Sequence, residues 1–216
     1  MIKMRKSITI LALFFVGLLG AQRANADSCN GVAAGSNLIQ NCAFGTGDFT
    51  SWSGTATSDP FSFVDNGDPL ALGSTPYNGL TYEAALGTLG GTSTLSQTFA
   101  TTAGDSYTIE FALLNDTAPD PLNGYPNSFE ADFGGTALLL LSNAPVDAYT
   151  LYSYSGTATG ASTTLAFTEQ NNLGDFELDS VSVQAPPATT PEPSSFLLLG
   201  SGILAMAVAA RRRFAR

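Results

Sequence analysis

The chain has 216 residues, with 18 carboxylates against eight basic side chains and no histidine. Every basic residue lies near an end: Lys3, Arg5, Lys6 and Arg23, then Arg211, Arg212, Arg213 and Arg216. The stretch between is therefore unsuited to nucleic-acid binding, which needs Lys or Arg against phosphate, and to His-based triads, Schiff-base lysines and His-ligated zinc.

The first element is a targeting segment. Lys3, Arg5 and Lys6 precede an apolar run from Ile8 to Gly20, and Ala24-Asn25-Ala26 is a small-x-small site. Positive start, short apolar run and A-x-A site describe a secretory signal peptide over residues 1–26. The run falls short of the ~20 residues of a permanent span. An exported chain lets Cys29 and Cys42, the two cysteines, oxidise to a disulfide. Lipidation of Cys29 lacks an apolar-small sequence before it.

Residues 27–184 form one domain, large enough for a real core. Helix signals are poor. Runs with period two recur between Gly, Asn, Asp and Pro clusters. In "STLSQTF", Leu95, Gln97 and Phe99 alternate with Thr94, Ser96 and Thr98. "SYTIEFALL" puts Tyr107, Ile109, Phe111 and Leu113 on one face. "DFELDSVSV" alternates with a phase slip near Asp179 that predicts a bulge. Such spacing predicts an all-β fold, an antiparallel β-sandwich. "ALLLLS", 137–142, reads as either a fully buried strand or a short helix, because periodicity does not separate the two.

Several positions carry candidate chemistry, each beside a plainer reading. Trp52, the single tryptophan, either stacks on a sugar or packs in the core. Asp65 and Asp68 in "DNGDP" either ligate calcium or simply build a turn. "NDTAPDPLNGYPN" is a long polar loop carrying Tyr125, either a ligand contact or an exposed connector. Glycoside hydrolysis needs two facing carboxylates, and no spacing singles out a pair. The chain is therefore expected not to be an enzyme, and no cofactor is required, structural calcium being the one candidate.

Residues 185–195 are a Pro/Thr linker containing Pro191-Glu192-Pro193. Residues 196–216 follow as an apolar helix and basic tail. Phe196 to Ala210 gives 15 largely apolar residues, about 22 Å of helix against a hydrocarbon core of about 30 Å. It reads as a short C-terminal transmembrane helix, with the arginines marking its cytoplasmic side.

Triplet, apolar helix and terminal arginines, in that order, resemble the PEP-CTERM sorting signal of Gram-negative bacteria. Pro191, Glu192, Pro193, Arg211, Arg212 and Arg213 carry the resemblance, over about the last 26 residues. It implies a membrane exosortase as processing partner. It also implies a chain anchored in the membrane before processing and destined for the cell surface or extracellular matrix.

A second resemblance covers most of the domain. In "NLIQNCAFGTGDFTSW", Asn41, Phe44, Gly47, Phe49 and Trp52 fit the opening of galactose-binding-like jelly rolls found in carbohydrate-binding modules. "LSQTFATTAGDSYTIEF" resembles their central strand pair, and "FELDSVSV" their closing strand. The resemblance implies a jelly roll and a polysaccharide partner. It also implies a structural calcium joining first and last strands. Gly45 stands where that family has Glu, and Ser180 where it has a second Asp, leaving Asp179 as the remaining ligand. The expected function is a non-catalytic exported surface or matrix protein that binds polysaccharide. A purely structural or adhesive matrix component is the alternative, and a small glycan hydrolase the third.

Overall fold

The computed structural model describes residues 35–66 and 77–187, with Cys29, Val32, Ser201, Ile203 and Arg211. The signal-peptide segment, Asp68 and the Pro191–Pro193 triplet lie outside the described residues, as do Arg212, Arg213 and most of the C-terminal apolar run. Ser201, Ile203 and Arg211 are helical. Among the described residues no helix is long and apolar enough to cross a membrane.

Among the described residues nine strands build an antiparallel sandwich. They are β1 (Phe63–Asp65), β2 (Glu83–Leu86), β3 (Ser93–Ala100), β4 (Ser106–Asn115), β5 (Asn127–Phe133), β6 (Thr136–Ser142), β7 (Thr150–Thr157), β8 (Ser162–Asn171) and β9 (Phe176–Gln184). One sheet has the order β1-β2-β9-β4-β7, the other β3-β8-β5-β6. Alternation decides what each buries. β8 turns Thr163, Leu165, Phe167, Glu169 and Asn171 inward, and β5 turns in Asn127, Phe129, Ala131 and Phe133. Phe111 meets Phe167 at 5.1 Å between ring centroids, and Phe129 meets Phe176 at 5.2 Å. Burying such rings is worth on the order of 2–3 kcal/mol each.

The slip near Asp179 is a bulge. β9 advances from Asp179 to Ser182 while β4 advances only from Ala112 to Glu110. Ser180 takes the extra place with φ 52°. The bulge keeps Val181 and Val183 facing the core on the far side of the slip. Beyond it the segment from Asn37 replaces β2 as neighbour. Leu38 N donates to Val183 O at 2.9 Å and Val181 N to Cys42 O at 2.9 Å. Cys29 and Cys42, both fully buried, are joined by a disulfide with Cα atoms 6.2 Å apart, fastening this added strand-like segment.

Residues 137–142 are strand, but not a buried one. Among the described residues β6 is an edge strand paired only with β5, and Leu140 points to solvent. Four successive leucines fit an edge because one face still reaches the core through Leu139 and Leu141.

Candidate functional site

Three loops meet at one end of the sandwich: the approach to β1, the β2–β3 loop and the β8–β9 loop. Between them lies a rim cavity of about 340 Å³. Phe61, Phe63, Leu89 and Leu173 give it apolar walls, and Asn172 and Asp175 give it polar ones. Phe61 and Phe63 remain 48% and 42% exposed.

Local hydrogen bonds fix each loop. Asp59 takes the Phe61 amide at 2.9 Å on one oxygen and the Thr88 hydroxyl at 2.8 Å on the other. Thr88 N donates to Asn171 O at 3.3 Å, and Gly90 N to Asn172 Oδ1 at 3.1 Å. Asn171 Oδ1 accepts the Leu173 and Gly174 amides, at 3.4 and 3.3 Å. Asn171 in turn donates to Asn115 Oδ1, whose amide donates to the carbonyls of Thr117, Ala144 and Pro145. Buried Asn residues act here as fixed frames for irregular backbone.

Trp52 is not at this cavity. It is 7% exposed, stacks on Phe44 at 5.6 Å and lies 6.3 Å from Phe167. Its indole N–H donates to Asn41 O at 3.1 Å. A ring buried against core aromatics offers no open face to a sugar, so Trp52 is read here as core packing. Tyr125 is exposed and sits in the loop between β4 and β5, where its backbone pairs with Asp120.

Asp179 and Asp65 are carried by the outer sheet face. Asp65 on β1 lies opposite Glu83 on β2. Asp179 is fully buried and accepts the Tyr77 amide at 3.0 Å and the Ser180 amide. Burial pushes its pKa up to about 8 against the pull of those two amides, and Glu83 adds to the rise. Glu83 itself takes a short hydrogen bond from the Tyr149 hydroxyl, and Tyr149 stacks obliquely on Tyr77 at 5.6 Å. Burial and then the Glu83 charge hold the Tyr149 phenol well above its ordinary range, so it stays a donor.

Two buried acids had no sequence signal. Glu177 and Glu169 occupy strand positions where period two assigns only a face. Burial, followed by Glu83, Asp175, Asp116 and Asp65, raises the Glu177 pKa well above the usual carboxylate range. Burial, with Asp175 and Asp59 behind it, pushes Glu169 up to about 8, the Asn171 amide offsetting part of the rise. Neither is matched by a basic side chain, since residues 24–210 contain none.

The PEP-CTERM protein-sorting motif matches residues 189–213. The chain thus carries the tail of an exported protein sorted at a membrane, a tail of the kind that exosortases process. No curated protein sequence matches the chain. Among solved structures, it is similar to TmCBM61 in complex with beta-1,4-galactotriose, at 17% identity and TM-score 0.48, covering 69% of this chain and 99% of that one. It is also similar to the CBM22-1–GH10 modules of Clostridium thermocellum xylanase 10B, complexed with xylohexaose. There the identity is 11%, the TM-score 0.47, and the match covers 73% of this chain and 30% of that one. The enzymatically active domain of bacteriophage CBA120 tailspike protein 4 matches at 15% identity and TM-score 0.47, over 70% of this chain and 22% of the other. The chain thus spans less than a third of the tailspike and xylanase chains. At such TM-scores the likeness carries no weight for function, and the cavity's own chemistry has to.

Proposed function

We propose that this is an exported, surface- or matrix-directed protein whose sandwich binds polysaccharide in the rim cavity without cleaving it. The observation that carries the reading is the pairing of two half-exposed aromatic rings, Phe61 and Phe63, with the amide of Asn172 and the carboxylate of Asp175. Sugars present flat C–H faces and a rim of hydroxyls, and a pocket with apolar walls and a few fixed polar groups suits both. Among the described residues one carboxylate, Asp175, lines the cavity, whereas glycoside hydrolysis uses two across the scissile bond. Glu83, Glu177 and Asp179 are each 2% exposed or less, out of a substrate's reach. From β2 to β5 and again from β6 to β9, successive strands alternate between the sheets, which also supports a jelly-roll winding.

The tail supports the destination, and the acidic, Lys-free domain favours a neutral glycan over a polyanion. The test is to screen the purified full-length chain against a polysaccharide array. Saturable binding to a defined neutral glycan, lost in Phe61→Ala, is the expected result. No binding to any glycan, or binding indifferent to Phe61, would overturn it.

A structural matrix role is the second reading, and β6 favours it. An exposed, apolar edge strand such as Thr136–Ser142 is a template for pairing with another chain. Concentration-dependent self-association abolished by Leu140→Lys, without glycan binding, would support this reading instead.

A further inference from the structure

Asp116 follows β4, Asp175 ends the β8–β9 loop and Glu177 is the second residue of β9. Each brings a carboxylate oxygen within 4.8 Å of the other two. Glu177 is held there from both sides, opposite Leu114 of β4 and Ala85 of β2. It is only 2% exposed, and its Oε2 is buried without a hydrogen-bond partner. A buried, unpartnered carboxylate oxygen beside two further carboxylates is costly, and no Lys, Arg or His between residues 24 and 210 can offset it.

We propose that Asp116, Asp175 and Glu177 bind a divalent cation of the hard, oxygen-seeking class, calcium first among them. Calcium–oxygen distances of about 2.3–2.6 Å put opposite ligands about 4.6–5.2 Å apart. One ion therefore reaches three oxygens that lie within 4.8 Å of one another. The donors are all oxygen, with no thiolate or imidazole to draw zinc or copper. Calcium takes six to eight oxygens, so the three carboxylates supply part of the shell and water the rest. A Cβ at Gly174 would collide with Asp116 Oδ1 and Thr117 Oγ1. A Cβ at Gly87 would collide with Asp175 Oδ1 and come within 3.0 Å of Phe61 O and 3.1 Å of Gly174 O. The two glycines thus let the Asp116 and Asp175 carboxylates lie against backbone that a side chain would deny them. Half-exposed Asp116 and Asp175 leave room for water on the outer side.

The site differs from the Asp65, Asp68 and Asp179 expectation. It ties the start of the β4–β5 loop to the β8–β9 loop, and Asp175 belongs to the cavity wall as well. It does not depend on what the cavity binds.

The test uses the purified full-length chain, stripped with chelator and titrated with calcium chloride by calorimetry, with thermal unfolding in parallel. One saturable site and a calcium-dependent rise in melting temperature are expected. Glu177→Gln keeps the shape and removes the charge. Asp116→Asn does the same at a half-exposed position and keeps the test valid if the buried variant fails to fold. Each is expected to weaken calcium binding at least tenfold and erase the thermal shift, while Asp65→Asn leaves both unchanged. Absence of binding at millimolar calcium would overturn the proposal. So would wild-type binding in Asp116→Asn, or loss of binding in Asp65→Asn alone. No saccharide enters the assay, so its outcome is independent of the glycan reading.

Discussion

Asn171 donates its side-chain amide to Asn115 Oδ1 at 3.2 Å and accepts the Gly174 amide on its own oxygen at 3.3 Å. One residue, at the end of β8, thereby ties the cavity loop to the end of β4 in the opposite sheet. Removing it leaves Asn115 Oδ1 and two loop amides without their partner. Leaving buried polar groups unsatisfied costs about 1–3 kcal/mol. Asn171→Ala is expected to lower unfolding stability in urea by that amount. Serine at the same place is too short to reach both partners and is expected to behave alike.

Phe61 and Phe63 on one hand and Trp52 on the other separate binding from folding. The two phenylalanines are about half exposed, so Phe61→Ala and Phe63→Ala are expected to change stability by less than about 1 kcal/mol. They are expected to weaken glycan binding at least tenfold. Trp52→Ala opens a cavity between Phe44 and Phe167 and is expected to cost about 3–5 kcal/mol. Native Trp52 fluorescence is expected to be blue-shifted and insensitive to added glycan. A red-shifted emission that responds to glycan would place the indole at the ligand after all.

The sheet pattern was legible in the sequence because period two survives wherever one face is buried. β3, β4 and β9 show it, and even the bulge at Ser180 registered as a slip of phase. β6 was ambiguous because leucine on consecutive positions erases the alternation, and only pairing with β5 reveals an edge. The cavity was not legible. Phe61, Asn172 and Asp175 come from segments over a hundred residues apart, and nothing local marks their meeting. Asp116, Asp175 and Glu177 converge for the same reason, through the register of β9 between β2 and β4. Trp52 had two open readings, and its neighbours decide for the core.

Cys29 and Cys42 close a short loop with a sequence separation of 13. In the loop-entropy account such a link stabilises by about 3 kcal/mol. It fastens the segment that completes β9 beyond the bulge. Cys29→Ala/Cys42→Ala is expected to lose roughly that much in urea unfolding. Reduction with dithiothreitol is expected to do the same in the wild type and nothing in the double variant. An unchanged midpoint on reduction would show that backbone bonds such as Leu38 N to Val183 O hold the segment alone.

Glu169 gives the domain a pH dependence of defined sign. Its side chain faces the core between Ser93 of β3 and Phe129 of β5. Burial raises its pKa from 4.5 to about 8 in the folded chain. The folded state then binds the proton more tightly than the unfolded state. Between about pH 4.5 and pH 8 the unfolded chain has released this proton and the folded chain has kept it. Stability from Glu169 is therefore complete below its unfolded pKa and is lost progressively as pH rises to about 8. The loss across that window is on the order of 5 kcal/mol, at about 1.4 kcal/mol per pH unit. Glu169→Gln removes the titration. It is expected to flatten the fall of melting temperature between pH 5 and pH 8, and to make the variant the more stable protein at the alkaline end. A wild-type slope retained in Glu169→Gln would assign the pH dependence to the outer-face carboxylates Glu177 and Asp179 instead.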